Sequence, residues 1–312
     1  MHSTAVVFDR PRQLALKPLL MRERDETTCI VDVMWSGIST GTERLLWDGS
    51  MPEFPGMGYP LVPGYESVGR IAKGGAAGKF HEGDLVFVPG AKSFTDVKNL
   101  FGATASTLAA DAVKLVRVPE ALGHNATLLT LAATAYHAVY IAGANVDLII
   151  GHGVFGRLIA RIAVAMGLEA PVVWETNAAR RKGNHGYEVI APEADTKRSY
   201  RSIMDASGDA GILDLAIGRL ARNGVVTLAG FYSQPLSFAF APAFMREATI
   251  RVAAEFTAAN IDSVLTLIDS GDLSLDGLIS HDAAAEDCAL AYDTAFRDPS
   301  CTKMVLDWRL AA

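Results

Sequence analysis

The chain has 312 residues, of which 50% are hydrophobic and 20% are charged, and its formal net charge is −7. This balance predicts a compact protein of two domains and excludes a largely disordered one. It also argues against nucleic-acid binding, because Lys and Arg are not clustered, and against a membrane span, because no apolar run reaches the roughly 18 residues required.

The N-terminus and the cysteines indicate the cellular compartment. The first residues, Met1–Ala5, are not a basic region followed by an apolar one, so no secretory signal is expected. Cys29, Cys288 and Cys301 are odd in number and far apart, which fits reduced thiols. We therefore expect a cytoplasmic protein.

A β-rich domain is predicted for the N-terminal part of the chain, to about residue 120. Short runs with high β-propensity alternate there with Gly, Pro and Asp turns. The clearest of these runs are Val31–Trp35, Ser67–Ile71 and Asp84–Val88.

The segment Leu45–Pro60 combines prolines and glycines with many large apolar side chains. The prolines and glycines predict a loop without regular structure. Exposed loops rarely keep so much apolar area unless something covers it. Either a broad, flat, apolar ligand stacks on these side chains, or the segment packs on its own domain or at a subunit contact. The side chains concerned are Trp47, Met51, Phe54, Met57 and Tyr59.

From about Asn125 the pattern changes to alternating helices and strands, which predicts an α/β domain with a parallel sheet. The first helix is expected over Leu128–Ile141. The elements after it are predicted at Asp147–Ile150, Arg157–Met166, Val172–Glu175, Ile203–Ala206, Leu213–Arg222 and Val225–Gly230.

The residues from Gly277 onward are expected to return to the first domain. They contain a predicted helix, Glu286–Phe296, and a predicted strand, Lys303–Asp307. The domains are therefore predicted as 1–124 with 277–312, and 125–276. A further run, Leu236–Phe240, could form an edge strand that pairs with a second copy, which leaves a homodimer open.

A glycine-rich turn follows the apolar run Leu148–Ile150 and precedes a helix-like stretch. It reads G-H-G-V-F-G, with Gly151, Gly153 and Gly156 at the positions of a dinucleotide-binding fingerprint. In that fingerprint the glycines permit a tight turn, a close approach of the backbone to a pyrophosphate, and close packing of the helix on the sheet. The phosphates are expected at the free amides that begin the helix, which belong to Val154 and Phe155.

An acidic residue, Glu175, indicates which nicotinamide cofactor is bound. It ends the next apolar run and follows the first glycine by about the 20 residues expected for the carboxylate that binds the adenosine ribose. A carboxylate at this place repels a 2′-phosphate, so NAD is favoured. Arg180 and Arg181 leave NADP open, because arginines nearby accommodate that phosphate.

Several motifs resemble those of the medium-chain dehydrogenase/reductase superfamily, and together they cover almost the whole chain. Zinc-dependent members of that superfamily carry C-G-I-C followed by T-D, then P-G-H-E-x-x-G and G-D-x-V. The resemblance implies an α/β protein, with a β-rich, GroES-like (barrel-like) catalytic domain, a Rossmann domain with a doubly wound parallel sheet, and the active site in the cleft between them. The matching segments are S-G-I-S-T-G-T-E over 36–43, P-G-Y-E-S-V-G over 63–69, G-D-L-V over 83–86, T-A-Y-H-A over 134–138, the glycine fingerprint, and D-A-S-G over 205–208, whose Ser207 is expected at the cofactor.

The resemblance also implies that the chain is a zinc-free member. Ser36 stands where the family has its catalytic-zinc cysteine, Tyr65 where it has the zinc histidine, and Thr130 near the third ligand. Zinc prefers thiolate and imidazole ligands, so no metal site is expected. The structural-zinc lobe is missing too, because no cysteine lies between Cys29 and Cys288.

Without zinc, alcohol oxidation requires a positioned base, and carbonyl reduction requires a positioned acid or hydrogen-bond donor. Tyr65 is the candidate that binds the reacting oxygen, with Ser36 and Glu66 linking it to a proton relay. Tyr65 and Ser36 could instead fill the volume left by zinc, and Glu66 could be a structural ion-pair partner. Thr40 and Thr42 fall where family members contact the nicotinamide ribose or the substrate.

Taken together, these motifs are similar to those of the superfamily members in purple photosynthetic bacteria that oxidise the 3-(1-hydroxyethyl) group of a bacteriochlorin to 3-acetyl with NAD. This resemblance implies a bacteriochlorophyllide-type tetrapyrrole as substrate. It is also compatible with a protein located at the periphery of the photosynthetic membrane. The flat macrocycle suits the aromatic segment Leu45–Pro60. Two alternatives remain: a zinc-free quinone or enoyl reductase that uses NADPH, and a non-catalytic NAD-binding protein.

Overall fold

The structure is a computed structural model that describes residues 1–53, 55–75 and 78–309. This part of the chain divides into two compact units, one within Met1–Thr130 together with Ile279–Ala312 and the other within Leu131–Leu278. The first unit is therefore discontinuous in sequence, whereas the second is a single segment.

The N-terminal part of the first unit consists mainly of β-strands, as the short β-rich runs predict. Its elements are β1 (His2–Arg10), β2 (Gln13–Leu20), β3 (Thr28–Ile38), α1 (Thr42–Asp48), β4 (Leu61–Val62), β5 (Ser67–Lys73), β6 (Leu85–Val88), β7 (Lys98–Asn99), β8 (Thr107–Asp111), β9 (Val116–Arg117) and a 3-10 helix over Glu120–Leu128.

The second unit alternates strands and helices. Its elements are α2 (Leu129–Ala142), β10 (Leu148–Ile150), α3 (Val154–Ala165), β11 (Val172–Trp174), β12 (Glu188–Ile190), β13 (Tyr200–Asp205), α4 (Ile212–Arg219), β14 (Leu220–Leu228), α5 (Phe240–Arg246), β15 (Thr249–Val252) and α6 (Ala258–Asp269). Within the described ranges, none of the helices combines the length and the hydropathy that crossing a membrane would require.

The segment that follows belongs to the first unit again. It contains β16 (His281–Ala284), a 3-10 turn over Ala285–Asp287, α7 (Cys288–Arg297) and β17 (Met304–Asp307). β17 pairs antiparallel with β3, so that Leu306 lies opposite Ser36. This pairing inserts the returning segment into a sheet of the first unit.

The strands of the first unit lie in the order β2-β1-β4-β7 in one sheet and β16-β17-β3-β5-β6-β9 in another, and β8 also pairs with β3. Apolar side chains such as Phe8, Val31 and Leu108 are fully buried. Each such side chain contributes about 1.5–3 kcal/mol when it is removed from water.

The sheet of the second unit is parallel, with the strand order β12-β11-β10-β13-β14-β15. The chain moves outward from β10 to β12 and then returns to β13 on the other side of β10. This reversal is a topological switch point, the place where open α/β sheets bind ligands at the carboxyl ends of their strands. The buried apolar run Leu148–Ile150 is typical of a strand that is covered on both faces.

Two sequence-based predictions of local structure are wrong. Leu45–Asp48 is the end of helix α1 rather than loop, because the glycines and prolines that break regular structure begin only at Gly49. Leu236–Phe240 is not a strand: α5 begins at Phe240, and Pro242 lies in its first turn, where a missing amide costs no helical hydrogen bond. Within the described residues, the sheet edge on that side is β15.

We expect Gly156→Ala to destabilise the second unit. A Cβ at position 156 would lie 1.9 Å from the Gly151 carbonyl oxygen. Relief of that overlap requires α3 to move away from β10, which should lower the free energy of unfolding by about 1–3 kcal/mol. Urea unfolding followed by circular dichroism measures the change.

Gly218→Ala is the matched control, because a Cβ at position 218 in α4 would meet nothing within 4 Å. An alanine in a helix removes flexibility from the unfolded chain, so the control should be neutral or stabilising by up to about 1 kcal/mol. Equal unfolding midpoints for the two variants would contradict the packing argument.

Candidate functional site

In the second unit, the glycine turn lies at the switch point between β10 and β13. Gly151 has a left-handed backbone conformation with φ 100°, and its amide donates to the Trp174 carbonyl at 2.9 Å. A Cβ on Gly151 would lie 3.1 Å from the Ser207 amide nitrogen, so the loops that follow β10 and β13 are in close contact. The turn predicted from sequence is therefore positioned where a ligand of this sheet would bind.

The geometry of this turn fits a pyrophosphate group. A Cβ on Gly153 would meet nothing within 4 Å, so no other side chain fills the space beside this backbone. Helix α3 starts at the next residue, and Val154 and Phe155 supply amides of its first turn. Free amides at the start of a helix favour an anion.

Glu175 follows β11 directly and is fixed by the backbone around it. Its carboxylate accepts hydrogen bonds from the Asn177 amide at 2.7 Å and from the His152 amide at 3.3 Å. The second bond ties it to the glycine turn. Arg181 donates to the carbonyls of Glu175 and Thr176, at 2.8 Å each. A carboxylate accepts up to about four hydrogen bonds, so Glu175 retains capacity for ligand hydroxyls.

His152, inside the glycine turn, is fully buried and links the turn to the segment after β11. Its Nδ1 contacts the Arg180 carbonyl at 2.9 Å, and its Nε2 contacts the Tyr187 hydroxyl at 3.0 Å. Burial, helped by the charge of Arg157, lowers the pKa of His152 to about 4. The neutral ring thus holds Arg180 close to the turn through its backbone.

Ser207, also expected at the cofactor, follows β13. Its hydroxyl donates to the Asp205 carboxylate at 2.7 Å, and that carboxylate also accepts a hydrogen bond from the Tyr232 hydroxyl. Burial raises the pKa of Asp205. These bonds fix the backbone of the loop that faces Gly151.

In the first unit, Tyr65 is half-buried and its hydroxyl donates to the Ser39 hydroxyl at 2.6 Å. Thr42 is the first residue of α1, and its side chain acts to lower the pKa of Tyr65. Phe101 packs edge-on against the ring with centroids 5.2 Å apart. Burial, together with the charge of Glu66, raises the pKa of Tyr65 well above its ordinary value, so it is a neutral hydroxyl.

The structure does not bring Ser36 to the Tyr65 hydroxyl. The Ser36 hydroxyl is buried and accepts a hydrogen bond from the Trp308 indole at 2.8 Å. The serine that contacts Tyr65 is instead Ser39, at the second serine of the S-G-I-S motif. Thr40 is half-buried in the turn between β3 and α1.

Glu66 is fully buried and forms an ion pair with Lys303, which also donates to the Ile38 carbonyl at 3.1 Å. A Cβ on Gly37 would lie 2.3 Å from Glu66 Oε2, so glycine is required at this position of the motif. Glu66 therefore has the structural ion-pair role that the sequence left open. Burial raises the pKa of Glu66, and Lys303 opposes this effect.

Sequence reasoning missed Glu43, Lys303 and Tyr292. Glu43 is fully buried in α1, and its carboxyl accepts hydrogen bonds from the Tyr292 hydroxyl at 2.7 Å and the Ser39 amide at 3.2 Å. One signal was available: Lys303 is a single cation at the start of the apolar run Met304–Leu306. A charge beside a buried strand requires a partner.

The aromatic segment packs largely on its own unit. Met51 is buried, and the partly buried Trp47, Met57 and Tyr59 pack against the same core. The Trp47 ring lies 5.4 Å from that of Phe296, and the Tyr59 hydroxyl donates to the Leu46 carbonyl. Part of each of these three side chains stays exposed. Phe54 lies outside the described residues.

The described residues contain no candidate metal centre. Among the described residues, no three or more His, Cys, Asp or Glu side chains are grouped so that they could hold a metal ion. Of the positions that resemble zinc ligands, Tyr65 forms a hydrogen bond with the Ser39 hydroxyl, whereas Ser36 accepts a hydrogen bond from Trp308.

Curated proteins closely related to this chain match it over nearly its whole length. The 2-desacetyl-2-hydroxyethyl bacteriochlorophyllide A dehydrogenase of Rhodobacter capsulatus is 49% identical over 313 aligned residues, which cover 99% of each chain. The protein of the same name from Cereibacter sphaeroides is 50% identical over 320 aligned residues, which cover 100% of each chain. No protein-family model matches this chain.

Solved structures confirm the fold class. A short chain alcohol dehydrogenase from Escherichia coli CFT073, complexed with NADH, has a TM-score of 0.84 and 19% identity, and covers 98% of this chain and 99% of its own. L-idonate 5-dehydrogenase from Escherichia coli K-12 has a TM-score of 0.86 and 17% identity, with 98% of each chain covered. The α/β fold expected from the sequence, with a GroES-like and a Rossmann domain, is thus shared with known dehydrogenases.

We expect Lys303→Met to destabilise the protein strongly. The substitution leaves the Glu66 carboxylate buried without the ammonium that faces it. Breaking a buried ion pair in this way costs about 3–5 kcal/mol. The free energy of unfolding in urea gives the effect.

Two further variants test this explanation. Lys303→Met combined with Glu66→Leu removes both charges and should recover most of the lost stability. Lys114→Met, at an exposed lysine, should change stability by less than about 0.5 kcal/mol. If the Lys303→Met and Lys114→Met proteins had equal free energies of unfolding, the Lys303–Glu66 ion pair would not contribute to stability as we expect.

Proposed function

Because the chain belongs to the 2-desacetyl-2-hydroxyethyl bacteriochlorophyllide A dehydrogenase family, within the medium-chain dehydrogenase/reductase superfamily, we propose that it oxidises the 1-hydroxyethyl side chain of a bacteriochlorophyllide to an acetyl group. The chain is an oxidoreductase that acts on a CH–OH group, in bacteriochlorophyll biosynthesis. The observation that carries the proposal is the identity of about half of all residues with proteins of that name over their whole length.

The alternatives that the sequence left open are less well supported. Both full-length relatives are named dehydrogenases rather than quinone or enoyl reductases. Neither relative is named as a non-catalytic NAD-binding protein.

Oxidation of the side chain removes a hydride from its carbon and a proton from its oxygen. A bound nicotinamide cofactor supplies the acceptor for the hydride. We propose that the residues of the glycine turn, Gly151–Gly156, hold its pyrophosphate and that Glu175 binds the hydroxyls of its adenosine ribose. NAD is proposed over NADP because Glu175 repels a 2′-phosphate, while Arg181 is already bonded to backbone carbonyls.

Tyr65 handles the proton in this proposal. Its raised pKa rules out a stable tyrosinate, so Tyr65 passes a proton on rather than storing the charge. The O–H bond of the substrate alcohol breaks as its proton bonds to the Tyr65 oxygen. The original Tyr65 proton moves to the Ser39 oxygen, and the proton that Ser39 held passes to water.

The macrocycle is proposed to contact the exposed parts of the aromatic segment. Trp47, Met57 and Tyr59 are anchored to the core on one side, which fixes them as a surface for a flat ligand. Met51 is buried and contributes to the core beneath them.

Absorbance spectroscopy with 3-(1-hydroxyethyl) bacteriochlorophyllide a tests the substrate and the cofactor together. With NAD we expect the long-wavelength band to shift to the red, because the new acetyl carbonyl conjugates with the ring. With NADP we expect turnover to be slower by about tenfold or more, through repulsion by Glu175. No shift with either cofactor, from protein that binds NAD, would reject the proposed substrate.

We expect Tyr65→Phe to lower kcat by about 100-fold, because it removes the hydroxyl that carries the proton. The affinity for NAD should not change, since no cofactor contact is proposed for this hydroxyl. Tyr140→Phe, at a tyrosine that is 64% exposed on α2, is the matched control and should keep the wild-type rate. A Tyr65→Phe protein with the wild-type kcat would return Tyr65 to a space-filling role.

A further inference from the structure

We infer that Glu43 is a positioning residue for this oxidation: as a neutral carboxylic acid it holds Ser39 against the Tyr65 hydroxyl, and loss of its proton slows the reaction. The inference deepens the proposed function and rests on it. The proposed proton transfer does not use Glu43, although it is one of the most deeply buried acids among the described residues.

The charges of the first unit require one carboxyl to stay neutral. Among the described residues of this unit, the buried carboxylic acids are Glu43 and Glu66, and the buried cation is Lys303. Two carboxylates beside one ammonium would leave a net negative charge in the interior, which costs several kcal/mol. Lys303 is paired with Glu66, so Glu43 is the acid that keeps its proton.

The groups that face Glu43 favour the same protonation state. Burial, and then the charge of Glu66, raise the pKa of Glu43 to about 8. The hydroxyl of Tyr292, the charge of Lys303 and the amide of Ser39 oppose this effect only in part. Cys288 adds no charge nearby, because burial raises the pKa of its thiol to about 11.

Ser39 connects Glu43 to the reacting hydroxyl. Its amide donates to Glu43 Oε1 at 3.2 Å, and its hydroxyl accepts from Tyr65 at 2.6 Å. On the other side, Glu43 Oε2 accepts a hydrogen bond from Tyr292, whose ring packs edge-on against Phe8 with centroids 5.4 Å apart. Glu43 thus links Ser39 to the packed core and fixes the position of the Ser39 hydroxyl that contacts Tyr65.

The charge of Glu43 matters because the oxidation builds negative charge beside Tyr65. As the alcohol proton leaves, the substrate oxygen and the Tyr65 oxygen carry part of that charge. A neutral Glu43 adds nothing to it. An ionised Glu43 would give Glu43, Glu66 and Lys303 together a net charge of −1. That charge would repel the negative charge that develops beside Tyr65, and at a distance of several ångströms the repulsion costs about 1–2 kcal/mol.

The test is the pH dependence of kcat for the wild-type protein and for Glu43→Gln, in the pigment assay with NAD. For the wild type we expect kcat to fall by about tenfold as the pH rises through about 8. Glu43→Gln keeps the shape and stays neutral, so it should have about the wild-type kcat at pH 7 and no fall at high pH. Glu286→Gln, at an exposed acid, should follow the wild type.

Tyr292→Phe gives an independent variant should Glu43→Gln fold poorly. The Tyr292 hydroxyl lowers the pKa of Glu43, so its removal should move the fall in kcat to higher pH. Two results of the kinetic assay would overturn the inference. If Glu43→Gln abolishes turnover at every pH, Glu43 accepts the proton itself; if its pH profile equals that of the wild type, Glu43 has no link to the reaction.

Infrared difference spectroscopy separates this inference from the proposed substrate. A carboxylic acid C=O band should disappear as the pH rises through about 8 in the wild type, and should be missing from Glu43→Gln, whether or not the pigment is turned over. The neutral form also stabilises the fold, and this contribution is lost as the pH rises from the unfolded-state pKa of 4.5 through about 8, so Glu43→Gln should flatten the fall in unfolding free energy over that range. A band that persists in Glu43→Gln would overturn the inference even if the pigment is oxidised.

Discussion

The ion pair between Lys303 and Glu66 is the interaction on which the candidate site of the first unit depends. A carboxylate with no exposure to water is tolerated only beside a cation, and the cation comes from a segment far away in the sequence. The same returning segment supplies the other partners of the buried polar groups. These partners are Tyr292, which donates to Glu43, and Trp308, which donates to Ser36. The candidate site is therefore assembled from both ends of a discontinuous unit.

The geometry of the candidate cofactor site could be predicted from the sequence because its parts are local. A strand, a glycine turn, a helix and the next strand lie in direct succession, so spacing alone brings Glu175 to the glycine turn. The glycines could be assigned in advance for the same reason. A side chain at Gly156 would collide with Gly151, and such a collision depends only on the geometry of the turn.

The buried polar contacts of the first unit could not be predicted, because they join residues that are 237 and 249 positions apart. Local ambiguity also contributed. Ser36 and Ser39 belong to one motif, and β3 ends between them at Ile38, so strand periodicity does not decide which serine contacts Tyr65. In the aromatic segment, the glycines and prolines from Gly49 onward concealed helix α1, whose Trp47 packs on Phe296.

The discontinuity of the first unit also determines the order in which the two units can finish folding during synthesis. Glu66 leaves the ribosome 237 residues before Lys303, and Glu43 leaves 249 residues before Tyr292. At a translation rate of about 5–20 residues per second, the carboxylates wait roughly 10–50 seconds for their partners. The segment Leu131–Leu278, which holds every strand of the parallel sheet, is made within that interval. The nascent chain can therefore complete its cofactor-binding fold first, while the core around Glu43 and Glu66 closes only after the last strand has been made.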